Sequence, residues 1–284
     1  MAKQGATEGR PARVGVFDSG VGGLTVAREL MRQYPAQPLL YLADQAHVPY
    51  GGRPLAEIRD LMEAVTRFLV AAGADPIVIA CNTASAAALH WLRERFPTVS
   101  FVGMEPAIKP AAEHTVSGHI GVIATAATFQ GELFASLLDR YAGQVAVHTQ
   151  VCPDLVPLVE AGELGTERTR QAVAGYLAPL LAQHIDHLVL GCTHYPFLRP
   201  LIAEIAGPEV TVVDPAPAVA RQAGRVLAQR NGLAEGLPPA SHCFYTTGDP
   251  ARFQAALKEL LGCEAAVWPA AWTPDGRLIA PPFA

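Results

Sequence analysis

Ile77-Val78-Ile79-Ala80-Cys81-Asn82-Thr83-Ala84 and Leu188-Val189-Leu190-Gly191-Cys192-Thr193-His194-Tyr195-Pro196 are the two stretches whose reading decides the fold. In each, a short apolar run ends at a cysteine and opens onto polar residues. Such a run, bounded by turn-forming residues, reads as a buried strand of a parallel sheet. A strand that stops at Cys-Asn-Thr or Cys-Thr-His brings a thiol and several hydrogen-bond donors to the carboxyl edge of its sheet, where α/β proteins hold ligands. Finding this twice predicts a site made of two matched halves. Chemistry on both faces of one carbon atom needs such a site.

Outward from these stretches, apolar runs at 13–17, 39–43, 77–80, 100–103, 119–124, 145–148, 187–190 and 210–213 alternate with longer segments of helical periodicity at 24–33, 55–72, 166–183 and 216–229. Alternation of this kind predicts an α/β fold with largely parallel sheets. The signals also recur in order. Gly15 matches Gly121 at a separation of 106, Cys81 matches Cys192 at 111, and Glu105 matches Asp214 at 109. Near-constant offsets predict a duplication: two similar α/β domains facing each other across a cleft. The expected division is 13–108 plus 215–263 for the first domain and 109–214 for the second. A Pro-, Ala- and Trp-rich segment, 264–284, reads as an irregular tail or interface arm.

The chain has 284 residues, 50% hydrophobic and 17% charged, which suits globular domains with sizeable cores. A net charge of -5 offers no basic field for nucleic acid. No apolar run approaches the roughly 20 residues that span a bilayer. Residues 1–13 lack the apolar core of a signal peptide, so a cytoplasmic location is expected. Five cysteines, at 81, 152, 192, 243 and 263, form neither a Cys-x-x-Cys motif nor a disulfide framework. Cys152, Cys243 and Cys263 read as small buried hydrophobes. The three lysines, Lys3, Lys109 and Lys258, avoid the strand-end motifs, which argues against pyridoxal-phosphate chemistry.

Other motifs admit two readings. Asp18-Ser19-Gly20-Val21-Gly22-Gly23-Leu24 follows the first strand; it is either a loop whose N–H groups and Ser19 approach an anion, with Asp18 facing the cleft, or a tight turn in which Asp18 or Ser19 caps a helix. The spacing is not that of a dinucleotide or P-loop motif. Pro49-Tyr50-Gly51-Gly52 is a loop offering a hydroxyl and backbone N–H groups, or a surface turn. Thr125 and Thr128 stand where the repeat places the counterpart of Asp18-Ser19, and they can donate to a carboxylate. Glu160 reads locally as a solvated helix end. Cys81, Cys192 and His194 together fall short of a zinc site in ligand count and spacing.

Five motifs then stand in one order: Asp18-Ser19-Gly20-Val21-Gly22-Gly23-Leu24, Pro49-Tyr50-Gly51, Ala80-Cys81-Asn82-Thr83-Ala84, Val156-Pro157-Leu158-Val159-Glu160 and Gly191-Cys192-Thr193-His194-Tyr195-Pro196. In these the chain resembles the glutamate racemases of the cofactor-independent aspartate/glutamate racemase superfamily, which make D-glutamate for peptidoglycan. The resemblance runs from about Val14 to about Arg225 and includes the interdomain crossover at 104–110. It implies that Cys81 removes the α-proton of D-glutamate and Cys192 that of L-glutamate, the second thiol returning a proton to the opposite face. It places Asp18, Ser19, Tyr50, Gly51, Asn82, Thr83, Thr193 and His194 around the substrate, where the repeat adds Thr125 and Thr128, with Asp18 suited to the α-ammonium and assisting Cys81. His194 and Glu160 are implied as assistants to Cys192. No metal, no organic cofactor and a homodimer are expected. The segment 44–48, Asp-Gln-Ala-His-Val, departs from the family's usual pattern. The rival readings are a racemase for aspartate or a hydantoin and a non-catalytic amino-acid-binding protein.

Overall fold

The computed structural model describes residues 12–141, 143, 145–230, 233–234 and 236–280. Most of the segment read at 1–13, and the last four residues of the tail, lie outside this range. The first sheet contains β1 (Arg13–Asp18), β2 (Leu39–Ala43), β3 (Ala74–Ile79) and β4 (Phe101–Gly103); the second contains β5 (His119–Ala124), β6 (Ala146–Val151), β7 (His187–Gly191) and β8 (Thr211–Val213). The chain returns to the first sheet with β9 (Cys243–Thr246) and β10 (Val267–Pro269) and ends in a hairpin of β11 (Ala271–Trp272) and β12 (Leu278–Ile279).

The strand orders are β10-β9-β2-β1-β3-β4 and β6-β5-β7-β8. The order 2-1-3-4 is thus repeated as 6-5-7-8, and every pairing in both sheets is parallel. The duplication expected from the sequence offsets is present in topology. In this order the connections leave β1 and β3 in opposite directions, which opens a crevice at their carboxyl ends. Both sheets therefore carry a switch point, one between β1 and β3 and one between β5 and β7.

Strand β3 begins three residues earlier than the apolar run at 77–80, because the sheet continues through Asp75-Pro76 with a register irregularity against β1. The described part of the tail, 264–280, is not irregular: it holds β10 and the hairpin of β11 and β12. Val267 pairs with Phe244 and Trp268 with Tyr245, and Pro269 ends this edge strand, where a missing N–H leaves no partner unsatisfied.

Three apolar clusters hold the layers. One lies between the first sheet and the helix Leu55–Ala71, another between the second sheet and the helices Ile108–His114 and Glu132–Tyr141. The largest runs without a break from Val21, Leu24 and Leu30 of the first half to Leu155, Val159, Leu177 and Leu190 of the second. Each fully buried aliphatic side chain contributes about 1.5–3 kcal/mol by leaving water. The shared cluster thus fixes how the two carboxyl edges face each other. No described helix is long and apolar enough to cross a membrane.

Candidate active site

Cys81 follows β3 and is the N-cap of the 14-residue helix Asn82–Arg95; its sulfur accepts from the Ala84 N–H at 3.4 Å. Its thiol lies 3.9 Å from Ser19 Oγ. Cys192 follows β7 and opens onto a short turn, Tyr195–Leu198, with Pro196 in its first residues. Its sulfur lies 3.7 Å from His194 Nδ1. Both thiols are free, and they are 5% and 7% exposed. The two share one electrostatic site, since a negative charge on Cys192 raises the Cys81 thiol.

Between them runs a chain of contacts that joins the halves. Thr193 Oγ1 donates to Asp18 Oδ2 at 3.0 Å, and the Gly20 N–H donates to Asp18 Oδ1 at 2.8 Å. His194 Nε2 donates to Glu160 Oε1 at 2.7 Å, and the Val21 N–H donates to the same oxygen at 2.7 Å. Gln45 Nε2 donates to Glu160 Oε2 at 3.1 Å. The anion met by the glycine loop's Val21 N–H is therefore a carboxylate of the opposite half. Two glycines make this approach possible. A Cβ on Gly22 would stand 2.4 Å from His194 Nδ1, and one on Gly20 would stand 1.9 Å from Glu160 Oε1.

Thr83, Thr125 and Thr128 form a hydroxyl cluster, with Oγ1 separations of 2.8 Å (Thr83 to Thr125) and 2.9 Å (Thr125 to Thr128). Thr125 also caps its short helix by accepting from the Thr128 N–H. Tyr50 spends its hydroxyl on Asp44 Oδ2 at 2.7 Å, so the Pro-Tyr-Gly loop has its backbone, not that hydroxyl, to offer the cleft. Asn82 is 3% exposed, and neither its side-chain oxygen nor its nitrogen has a partner among the described residues. Buried amides are rarely left so, and a bound molecule is one way to complete them.

The electrostatics differ between the halves. Burial pushes the Cys81 thiol well up, Asp18 adds to the rise, and the Ala84 N–H and Ser19 offset only part of it. Burial likewise raises Asp18, against the pull of His194. For His194 burial alone would lower the pKa, but the Cys192 sulfur and the Glu160 carboxylate outweigh it, and the imidazole is held well above its usual range. Burial would raise Glu160, but the His194 hydrogen bond and charge bring it below its ordinary value. One thiol thus sits with a carboxyl group and the other with an imidazolium.

Of the residues named from the sequence, Ser19 lies by Cys81 and His194 by Cys192, Asp18, Thr193 and Glu160 join the two halves, Asn82 and Thr83 follow Cys81, and Thr125, Thr128 and Gly51 are linked to them through Thr83. Glu160 is not the solvated helix end of the local reading; its side chain is 13% exposed and has three donors. Gln45 and Tyr41 were missed. The Tyr41 hydroxyl donates to the Gly20 carbonyl at 2.9 Å and braces the glycine loop, and Gln45 had a signal in the unusual 44–48 segment. Among the described residues no group of three His, Cys, Asp or Glu side chains is placed to hold a metal ion.

With this geometry in hand, the comparisons with known proteins agree. A family profile described as Asp/Glu/Hydantoin racemase matches residues 22–223. The chain is 50% identical over 256 residues to the glutamate racemase of Ectopseudomonas mendocina, covering 90% of this chain and 97% of the relative. Among solved structures it is similar to a Bacillus anthracis glutamate racemase, with a TM-score of 0.81 and 36% identity over 90% of this chain and 96% of the other. It is similar also to the Escherichia coli glutamate racemase in complex with L-glutamate and the activator UDP-MurNAc-ala, with a TM-score of 0.80 and 29% identity over 95% and 100%. The chain belongs to the Asp/Glu/hydantoin racemase family and, within it, to the glutamate racemases.

Proposed function

We propose that this protein interconverts L- and D-glutamate by a two-base mechanism in which Cys192 removes the α-proton of L-glutamate and Cys81 that of D-glutamate. The observation that carries the reading is the pair of buried thiols at equivalent strand ends, one beside an imidazolium and the other beside a carboxyl group. A two-base racemase needs one thiolate and one thiol at the same moment. The two thiols have different partners for this, an imidazole 3.7 Å from Cys192 and the Asp18 carboxyl group near Cys81. Cys192, with protonated His194 as counter-charge, acts as thiolate on L-glutamate, and Cys81 delivers its proton to the opposite face. Glu160 keeps the imidazole charged and aimed at the sulfur.

An α-proton beside a carboxylate is removed only if the developing negative charge is stabilised by preorganised donors in a dry site. The Thr83–Thr125–Thr128 hydroxyls, Ser19, Thr193 and the uncompleted Asn82 amide are such donors, and Asp18 suits the α-ammonium. A cysteine thiol, near pKa 8.5 in water, is within reach of neutral pH as either acid or base. Sheet membership supports 13–108 and 109–214 as two halves, with the first half resumed from 215 and carried past 263 by β10 (Val267–Pro269). D-glutamate for peptidoglycan, a homodimer and a cytoplasmic place of work complete the reading.

The test is α-hydrogen exchange. In D2O the protein should convert each enantiomer of glutamate to the other with one deuterium at Cα, with EDTA present or absent. The two directions should show equal kcat/KM, because enantiomers have equal free energies in water. Absence of exchange with either enantiomer would sink the enzyme reading, and faster turnover of aspartate would move the substrate.

A further inference from the structure

Asp44, at the end of β2, is fully buried and accepts four hydrogen bonds. Oδ2 takes the Tyr50 hydroxyl at 2.7 Å and His47 Nδ1 at 2.9 Å. Oδ1 takes the Thr247 hydroxyl at 2.8 Å and the Trp272 indole N–H at 2.7 Å. Trp272 belongs to the terminal hairpin, which is anchored on both sides. Ala270 donates its N–H to the Thr246 carbonyl at 2.8 Å, and Leu278, opposite Trp272, packs into the apolar cluster under the helix Leu55–Ala71. The Trp272 ring also meets His47 edge-on, with centroids 5.1 Å apart.

The other end of this network reaches the candidate active site. Tyr50 and Gly51 form the turn after Pro49, and Arg53 secures it by donating its backbone N–H to the Tyr50 carbonyl and its Nε to the His47 carbonyl. Gly51 lies directly against the second half, where a Cβ would come within 2.7 Å of Thr125 Cβ. Thr125 is the centre of the hydroxyl cluster.

We propose that the C-terminal hairpin is part of the substrate-gripping apparatus and that Trp272 is a positioning residue, which acts through Asp44 and Tyr50 to set the Gly51 loop against Thr125. This rests on the racemase reading above. A buried carboxylate holds its place by the donors around it, and losing one of four makes the other three move or leaves a lone pair unpaired. Tyr50 is the donor with the most to transmit, since its backbone is the loop. The hairpin thereby ties the height of one wall of the cleft to a segment more than two hundred residues away, the Asp44–Trp272 separation being 228. Its effect is on the grip of either enantiomer and not on the proton transfers, which belong to the two thiols.

Trp272→Phe, which keeps a ring and removes the N–H, tests this in the full-length protein against Trp268→Phe, a change at an outlying, 41% exposed tryptophan. Trp272→Phe should raise KM for both enantiomers about tenfold while kcat stays within about twofold, the pattern of lost uniform binding. Amide hydrogens of residues 50–53 should exchange about tenfold faster, with those of the helix Asn82–Arg95 unchanged. Trp268→Phe should change neither. Unchanged exchange at 50–53 would overturn the proposal. So would faster exchange with an unmoved KM, or a lower melting temperature with an unmoved KM, since either would make Trp272 merely structural. The exchange measurement needs no turnover, so a wild-type protein inactive on glutamate would refute the racemase reading while still testing the hairpin.

Discussion

The carboxyl ends of β3 and β7 occupy the same place in the same strand order, yet they are not built alike. Cys81 caps a long helix, receives the Ala84 N–H and lies near Asp18. Cys192 opens a short turn and faces an imidazole that is held by a carboxylate. A helix N-terminus draws a thiol toward its charged form. At Cys81 that pull is overcome by burial and by Asp18. The comparison teaches that position in the fold sets the two sulfurs at equivalent strand ends, while the groups packed beside them, Asp18 at one and the His194–Glu160 pair at the other, make their settings different.

Exchanging each thiol for a hydroxyl breaks the comparison most severely. Cys81→Ser and Cys192→Ser should each lower racemisation by about four orders of magnitude, the upper range for loss of a general acid or base. Exchange in D2O should survive on one enantiomer only: L-glutamate in Cys81→Ser, D-glutamate in Cys192→Ser. Normal racemisation by either variant would disprove the two-base mechanism.

A smaller change removes only the imidazole's partner. Glu160→Gln should lower kcat about a hundredfold by releasing His194 from its charged, aimed position. It also predicts a pH signature in stability. The Glu160 pKa is depressed on folding, so its contribution is present above its ordinary value of 4.5 and fades as pH falls through the lower folded value. The His194 pKa is raised, so its contribution is complete below 6.5 and is lost as pH rises through the higher folded value. The difference in melting temperature between wild type and Glu160→Gln should therefore be greatest between about pH 4.5 and 6.5 and shrink on both sides. A difference that does not vary with pH would show that the pair is not ionised.

Gln45→Leu sharpens the comparison with the smallest effect. Gln45 and Glu160 line an open cavity of about 420 Å3, so water can replace the lost amide. A fall of about threefold in kcat/KM is expected, equal in both directions. A loss as large as that of Glu160→Gln would make Gln45 the principal anchor of the carboxylate.

The fold and the thiols were legible because their signals are local. Apolar runs alternating with helical segments pointed to two parallel sheets, and the two runs ending in cysteine, repeated at nearly constant offset, marked the carboxyl edges where the thiols stand. What escaped was long-range pairing. Nothing around Glu160 announces that the Val21 N–H, 139 residues away, will meet it. Nothing at Gln45 points to the same carboxylate 115 residues on. The tail defeated periodicity for a further reason: a three-residue edge strand containing proline is too short to show alternation, and its partners come from elsewhere in the chain.

The repeated strand order has one more consequence. Two separate identical chains meeting about an exact two-fold axis would present the same residues at both sulfurs, because every substitution in one copy appears in the other. Here the two repeats of the strand order are joined in one chain. The chain can therefore place Asn82-Thr83 after one cysteine and Thr193-His194 after the other while keeping the same strand order around both. Repetition supplies two equivalent strand ends, and a single polypeptide lets them carry different neighbours.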